Sequence, residues 1–300
     1  MKERRMVPEP EFDSYYGRPM LKEPVWKQPD VPLYLFTGGL AGASALLAEG
    51  AGLTDRPGLL RVARIAAAAG STVGSGLLVH DLGRPERFLN MLRVLKITSP
   101  LSVGSWILAP FSGLSALAAA TELSGRFRVV GRLAGVGAGI LGPALATYTA
   151  VLVADTSVPA WHEAHRELPF VFAGSAAASA GGLAMIAAPL TEAAPARRMA
   201  MGGGVAELAA SELMIRRLGI HAEVYRQGRP GTLLKIARAL TAAGAGLTPF
   251  AKRSRWASAL AGTAYLAGSV LTRFGVFQAG QASARDPKYT VLPQRERMKR

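Results

Sequence analysis

Apolar residues in this chain come in long blocks rather than short alternations, and ionisable residues are almost confined to the gaps between blocks. Windows of about 19 residues mark eight candidate spans, at 31–53, 62–80, 101–123, 129–153, 168–190, 198–216, 232–250 and 256–277. Each is close to the ~20 residues with which an α-helix crosses a hydrocarbon core of ~30 Å. The pattern predicts an all-α integral membrane protein with about eight transmembrane helices, and the expected architecture is two four-helix bundles. The weakest spans are 198–216, which contains Glu207 and Glu212, and 232–250, which is mostly Ala, Gly and Leu.

Outside this transmembrane domain (31–277), residues 1–30 form a polar, proline-rich arm and residues 278–300 a basic tail. Both are expected to lie outside the membrane as extended arms. The first 30 residues hold no apolar stretch of the kind a cleavable signal needs, so the first span is expected to act as its own insertion signal.

Composition sharpens this picture. Half of the residues are hydrophobic and 18% are charged, with a net charge of +15. On a membrane protein Lys and Arg mark loops and set orientation, so the charge is not a nucleic-acid footprint. The larger share lies on the face bearing both termini and the loops after spans two, four and six, which predicts cytoplasmic termini. Cysteine is absent, which excludes thiolate zinc sites and Cys-ligated iron–sulfur clusters on this chain. Small residues repeat at the spacing of close helix crossings: Gly38-x-x-x-Gly42, Gly70-x-x-x-Gly74, Gly131-x-x-x-Gly135-x-x-x-Gly139, and the run Gly202, Gly203, Gly204.

The loop after span two reads HDLGRPERFLNML (80–92) and is dense in charge for a turn at a membrane edge. Asp81 ends the span and Gly83 is a natural helix stop. Pro85 and Glu86 suit the first turn of a new helix. Phe88, Met91, Leu92 and Leu95 fall on one helical stripe, which predicts a short amphipathic surface helix over 85–96. Thr98-Ser99-Pro100 then stops it before span three. None of this requires His80 beside Asp81.

The stretch HDLGRPERFLNMLRVLKITSPLSVGSW (80–106) closely resembles the signature of the polysulfide-reductase membrane-subunit (NrfD/PsrC) family. PLYLFTGGLAGAS (32–44) and TYTAVLVADTSVPAW (147–161) agree with it, so the resemblance covers the first four to five helices. It implies a membrane subunit without metal centres in a bacterial plasma membrane. Such a subunit exchanges electrons and protons with menaquinone or ubiquinone. Its implied partners are an iron–sulfur (ferredoxin-like) subunit and a molybdopterin catalytic subunit, with formate dehydrogenase the preferred complex. Arg84, Glu86 and Arg87 would meet the iron–sulfur partner.

The resemblance also places a quinone-bonding tyrosine at Tyr148 in Thr147-Tyr148-Thr149-Ala150, where Ala150 stands in place of an expected glycine. Tyr34 is a second candidate near the same headgroup level. His80 and Asp81 are candidate proton-relay groups, since histidine titrates near neutral pH; Asp81 has the alternative of pairing with Arg84 or Arg87. Glu207 is a carboxylate at membrane depth, where such groups are costly and mark function. A path from Glu49 or Glu207 toward His80 is a further expectation. Paired imidazoles at membrane depth are missing, so no haem is expected. A secondary transporter or proton channel, and a structural anchor without quinone chemistry, are the rival classes.

Overall fold

A computed structural model describes residues 21–22, 24–84 and 86–298, so most of the N-terminal arm and Pro85 lie outside the described residues. Among the described residues the regular structure is all helical. Eight long helices follow the predicted spans: α1 (Asp30–Leu53), α2 (Pro57–Asp81), α4 (Pro100–Ser124), α5 (Arg128–Ala154), α7 (Leu168–Ala187), α8 (Ala194–Arg217), α10 (Gly228–Leu247) and α11 (Arg255–Arg285). Short helices α3 (Glu86–Met91), α6 (Pro159–Glu163) and α9 (Glu223–Arg226) lie in the connections, and α12 (Lys288–Met298) ends the described chain.

Six of these helices are long and apolar enough to cross a membrane: α1, α2, α4, α5, α7 and α11. The two that fall short, α8 and α10, carry ionisable residues along their length, among them Arg198, Glu207 and Glu212 in the first and Lys235 and Arg238 in the second. They correspond to the two weakest predicted spans. Packing divides the long helices into the expected pair of four-helix bundles. Helices α1, α2, α4 and α5 form the first; α7, α8, α10 and α11 form the second, and α7 packs against α1 and α5 to join them.

Close crossings rest on the small residues. A methyl added at Gly42 of α1 would strike the Gly142 carbonyl of α5, and one at Gly142 would strike the Gly42 carbonyl. Gly174 and Gly203 stand in the same mutual relation between α7 and α8, as do Gly182 and Gly262 between α7 and α11. Gly38 and Gly202, by contrast, face open space, so the motifs that hold them contribute only some of their glycines, whereas Gly70, Gly74, Gly131, Gly135 and Gly139 all meet a neighbouring helix. Without a hydrophobic drive in lipid, this backbone proximity holds the helices together.

Two predicted segments differ. The surface helix spans only Glu86–Met91 rather than 85–96. Beyond it the Ser102 hydroxyl accepts from the Lys96 amide (3.0 Å) and donates to the Val94 carbonyl (3.2 Å), folding the chain back onto the start of α4. The C-terminal tail is not an extended arm. Residues 278–285 continue α11, held by Gln281 to Gln28 (2.9 Å) and by Ser283 to the Ala160 amide (3.2 Å), and α12 follows. Gly83 does end α2, with φ +69°.

Candidate functional site

The helix ends on the terminal-bearing side of the first bundle leave a two-lobed cleft. Its larger lobe, about 770 Å3, lies between the start of α4 and the end of α5 and is lined by Val103, Ile107, Tyr148, Asp155, His162 and His165, among others. The smaller lobe, about 350 Å3, reaches toward α1 and α2 past Trp26, Tyr34, Leu78 and Asp81. Thr98, Pro100 and Asp155 belong to both, so the lobes adjoin.

Local sequence explains the shape. Pro100 and the Ser99 side chain, which accepts from the Ser102 amide, start α4 beside the cleft. One turn on, Gly104 leaves room for the Tyr148 ring, whose Cζ would lie 2.6 Å from an added methyl. Asp155 ends α5, and Val158-Pro159 turns the chain into α6. Trp161 of that helix is fully buried, donates its indole N–H to the Val276 carbonyl (2.8 Å), and stacks on Trp26 at 5.6 Å between ring centroids. The N-terminal segment is thereby pinned along the smaller lobe.

Tyr148 is buried to 8% exposure, and no hydrogen bond ties its phenol to another described residue. The Tyr34 hydroxyl is buried without a partner in the wall of the smaller lobe. A buried unpaired phenol such as that of Tyr34 costs free energy unless something arrives to bond it. The Tyr148 phenol lines the larger lobe without a protein partner, so both tyrosines offer hydrogen bonds to an occupant of the cleft.

The acidic and histidine candidates are arranged differently from their order in the chain. Asp81 lines the smaller lobe and accepts the Lys27 backbone N–H (2.9 Å) rather than pairing with Arg84. His80 points away from it: its Nδ1 meets Asp30 Oδ2 at 2.7 Å, joining the last turn of α2 to the first turn of α1. Adjacent residues on a helix do not face each other, so His80 finds its carboxylate on the neighbouring helix. The ring is exposed while Asp30 is buried. Arg84 and Glu86 are exposed on the same side; the Arg87 side chain lies outside the described residues.

Glu207 is not part of the cleft. It lies buried in the second bundle, where Thr272 Oγ1 donates to Glu207 Oε1 at 2.6 Å and Oε2 has no partner. Glu49 lies in the first bundle at the opposite end of α1, 3.5 Å from Arg64, which also binds Glu122 at 3.0 Å. No hydrogen bond or ion pair among the described residues links Glu207 or Glu49 to His80.

Several residues were missed by sequence reasoning. Asp30 and the cleft residues Asp155, His162 and His165 lie at helix ends and in a connection. Arg273 lies inside span eight, fully buried, donating to the carbonyls of Leu35 (3.3 Å) and Phe172 (3.0 Å) with its guanidinium 3.8 Å above the Phe172 ring. A lone cation in an apolar block was the available signal.

At the rim, Arg217 clamps Glu167 in two bonds of 2.5 and 2.6 Å. The hydrogen bond from Arg217 holds the Glu167 carboxyl below the usual carboxylate range, against a smaller opposing effect of burial. Lys288 likewise holds the Glu223 carboxyl low through a 2.8 Å bond.

A search of the curated proteins found no match. The family model described as "Polysulphide reductase, NrfD" matches residues 19–224, which takes in the whole cleft and helices α1 to α8. With more than half of the chain matched, and with six helices long and apolar enough to cross a membrane, this multi-pass membrane protein belongs to the NrfD polysulphide reductase family.

Proposed function

We propose that the cleft is a quinone site and that the chain is the quinone-reactive membrane subunit of a respiratory oxidoreductase. The observation that carries the proposal is the cleft itself: an apolar cavity of about 770 Å3 opening at the helix ends, with the unpartnered Tyr148 phenol in its wall. That volume is in the ~300–1,000 Å3 range of small-molecule sites, and an apolar lining with few polar groups is their usual character. Tyr148 supplies a hydrogen bond to one carbonyl oxygen of a quinone, and Tyr34 supplies another in the adjoining lobe. Asp81 fixes the N-terminal segment and stands where it can exchange protons with the smaller lobe.

Electrons come from, or leave to, an iron–sulfur partner that docks over Arg84, Glu86 and Arg87 at the same edge. A molybdopterin subunit completes the complex, and formate is the preferred substrate of that subunit. Menaquinone or ubiquinone fits the cleft equally, and neither haem nor a cluster on this chain is required. Glu207, paired with Thr272 in the second bundle, is proposed as a proton-handling group apart from the cleft. The long helices run through Pro110 and Pro143 without a break, which favours this reading over a transporter built on discontinuous helices.

The test is quinone-linked turnover of the complex purified from native membranes, with Tyr148→Phe and Asp81→Asn variants. Both are expected to assemble and to lose turnover by about tenfold or more. Full turnover in both, with normal assembly, removes the site assignment.

A further inference from the structure

The larger lobe holds two histidines that the reading above leaves idle. His162 lies in the last turn of α6 and His165 in the turn after it, with ring centroids 6.0 Å apart. Both line the cavity together with Tyr148 and Asp155. Both histidines are exposed, so the pair stands where the cavity meets solvent.

Backbone contacts place one hydrogen on each ring. His162 Nδ1 lies 3.3 Å from the Ala154 carbonyl, and His165 Nδ1 lies 2.9 Å from the His162 carbonyl. A carbonyl oxygen only accepts, so in each ring Nδ1 carries the hydrogen. The neutral imidazole then presents Nε2 as a free lone pair. Two such bases, 6.0 Å apart at the mouth of a cavity, offer a route for protons.

We propose that His162 and His165 are the proton-exchange pair of the cleft: His162 Nε2 trades a proton with the oxygen of a quinone bound beside Tyr148, and His165 trades it onward with water. This rests on the quinone reading. Converting a quinone to its quinol adds two electrons, supplied by the iron–sulfur partner, and two protons, one at each ring oxygen; the reverse reaction returns both. A proton passing through His162 arrives at and leaves from Nε2, while Nδ1–H stays on the Ala154 carbonyl.

The charged and titratable groups around the pair come from several elements. Glu163, Arg166 and Glu167 share its own segment, Asp155 comes from α5, Arg217 from α8 and Arg285 from α11, with His221, Lys288 and Tyr289 on the segments that also pack against α6. Among the described residues Asp155 is the charged group that lines the cavity with the pair.

His162→Asn separates the two nitrogens. The Asn amide takes the place of Nδ1 and keeps the donor toward the Ala154 carbonyl, while nothing replaces Nε2. In the complex purified from native membranes, quenching of tryptophan fluorescence by menadione should match wild type within about twofold. Quinone-linked turnover should fall at least about tenfold, its pH profile should change, and added imidazole should restore part of the rate. His165→Gln, at an exposed position, should make turnover depend on buffer concentration. Wild-type turnover and pH profile in His162→Asn, with menadione binding intact, would overturn the relay and leave the quinone site standing. Joint loss of binding and turnover without imidazole rescue also overturns it, since His162 is then a positioning residue. If the wild-type complex neither binds menadione nor turns over with quinone, the quinone reading fails and the relay with it.

Discussion

Gly104→Ala puts the packing of the cleft under direct test. The added methyl would stand 2.6 Å from Cζ and 2.7 Å from Cδ2 of Tyr148, and closer still to Cε2. Carbon atoms rest at about 3.5–4.0 Å, so the ring must withdraw by about 1 Å or the α4–α5 crossing must open by as much. Overpacking of this size costs about 1–3 kcal/mol. The ring lies between two helices and borders the cavity, so its easier movement is into the larger lobe, where the phenol then occupies space that a quinone needs. The expected result is a modest fall in detergent melting temperature with a larger, tenfold or greater, loss of quinone-linked turnover. A double-mutant cycle isolates the contact: with Tyr148→Leu in place, Gly104→Ala should cost less, giving a coupling of about 0.5–3 kcal/mol. If Gly104→Ala is as stable and as active as wild type, or if the two substitutions are additive, Tyr148 is not held against α4 and the cleft is wrongly drawn.

Arg64→Leu should be far more damaging than Glu49→Gln. It strands two part-buried carboxylates, Glu49 and Glu122, that now share one guanidinium, and breaking such a pair costs about 3–5 kcal/mol, read as detergent melting temperature. The Arg217 clamp on Glu167 makes an acid-sensitive contribution: the folded-state carboxyl sits below its ordinary range, so the contribution is present above that range and lost as pH falls through the lowered value. Melting temperature should therefore drop below about pH 4, and Glu167→Gln should flatten that drop while lowering stability at pH 7 by about 1 kcal/mol. Trp161→Phe should loosen the N-terminal segment, because it removes the indole bond to the Val276 carbonyl, which keeps its own helix bond, and trims the stack on Trp26; the cost is about 0.5–1.5 kcal/mol, with faster proteolysis near Trp26 as the local readout.

Helix positions were legible because lipid imposes them. Backbone groups in hydrocarbon must bond within their own segment, so an apolar block of the right length has one outcome. The stops at Gly83 and Pro100 were legible for equally local reasons, a left-handed backbone and a missing N–H. What the chain hid were contacts decided between elements. The α3 helix ends early because Ser102, at the start of α4, captures Lys96 and Val94. The partner of His80 is Asp30 because residues next to each other on a helix diverge, whereas the ends of antiparallel neighbours meet. Hydropathy windows also average away single charges, which is how Arg64 and Arg273 passed unnoticed inside otherwise apolar spans.

The two bundles divide polar groups by depth in a way that bears on their roles. In the first, the far end carries the triad Glu49–Arg64–Glu122, in which one guanidinium serves two carboxylates, and the near end carries the open cleft with the phenols of Tyr34 and Tyr148. A closed triad is what a helix bundle needs to keep register; open donors beside a cavity are what a ligand needs. In the second bundle the space beside Glu207 and Thr272 amounts to about 10 Å3, room for a single water. Arg273 of that bundle spends its donors on Leu35 of α1 and Phe172 of α7, and so fastens the second bundle to the wall of the first. On the quinone reading, the chemistry of a bulky substrate belongs to the cleft of the first bundle rather than to the space beside Glu207. A substitution that enlarges the space at Thr272 should leave quinone affinity untouched, whereas one that fills the space beside Tyr148 should abolish it.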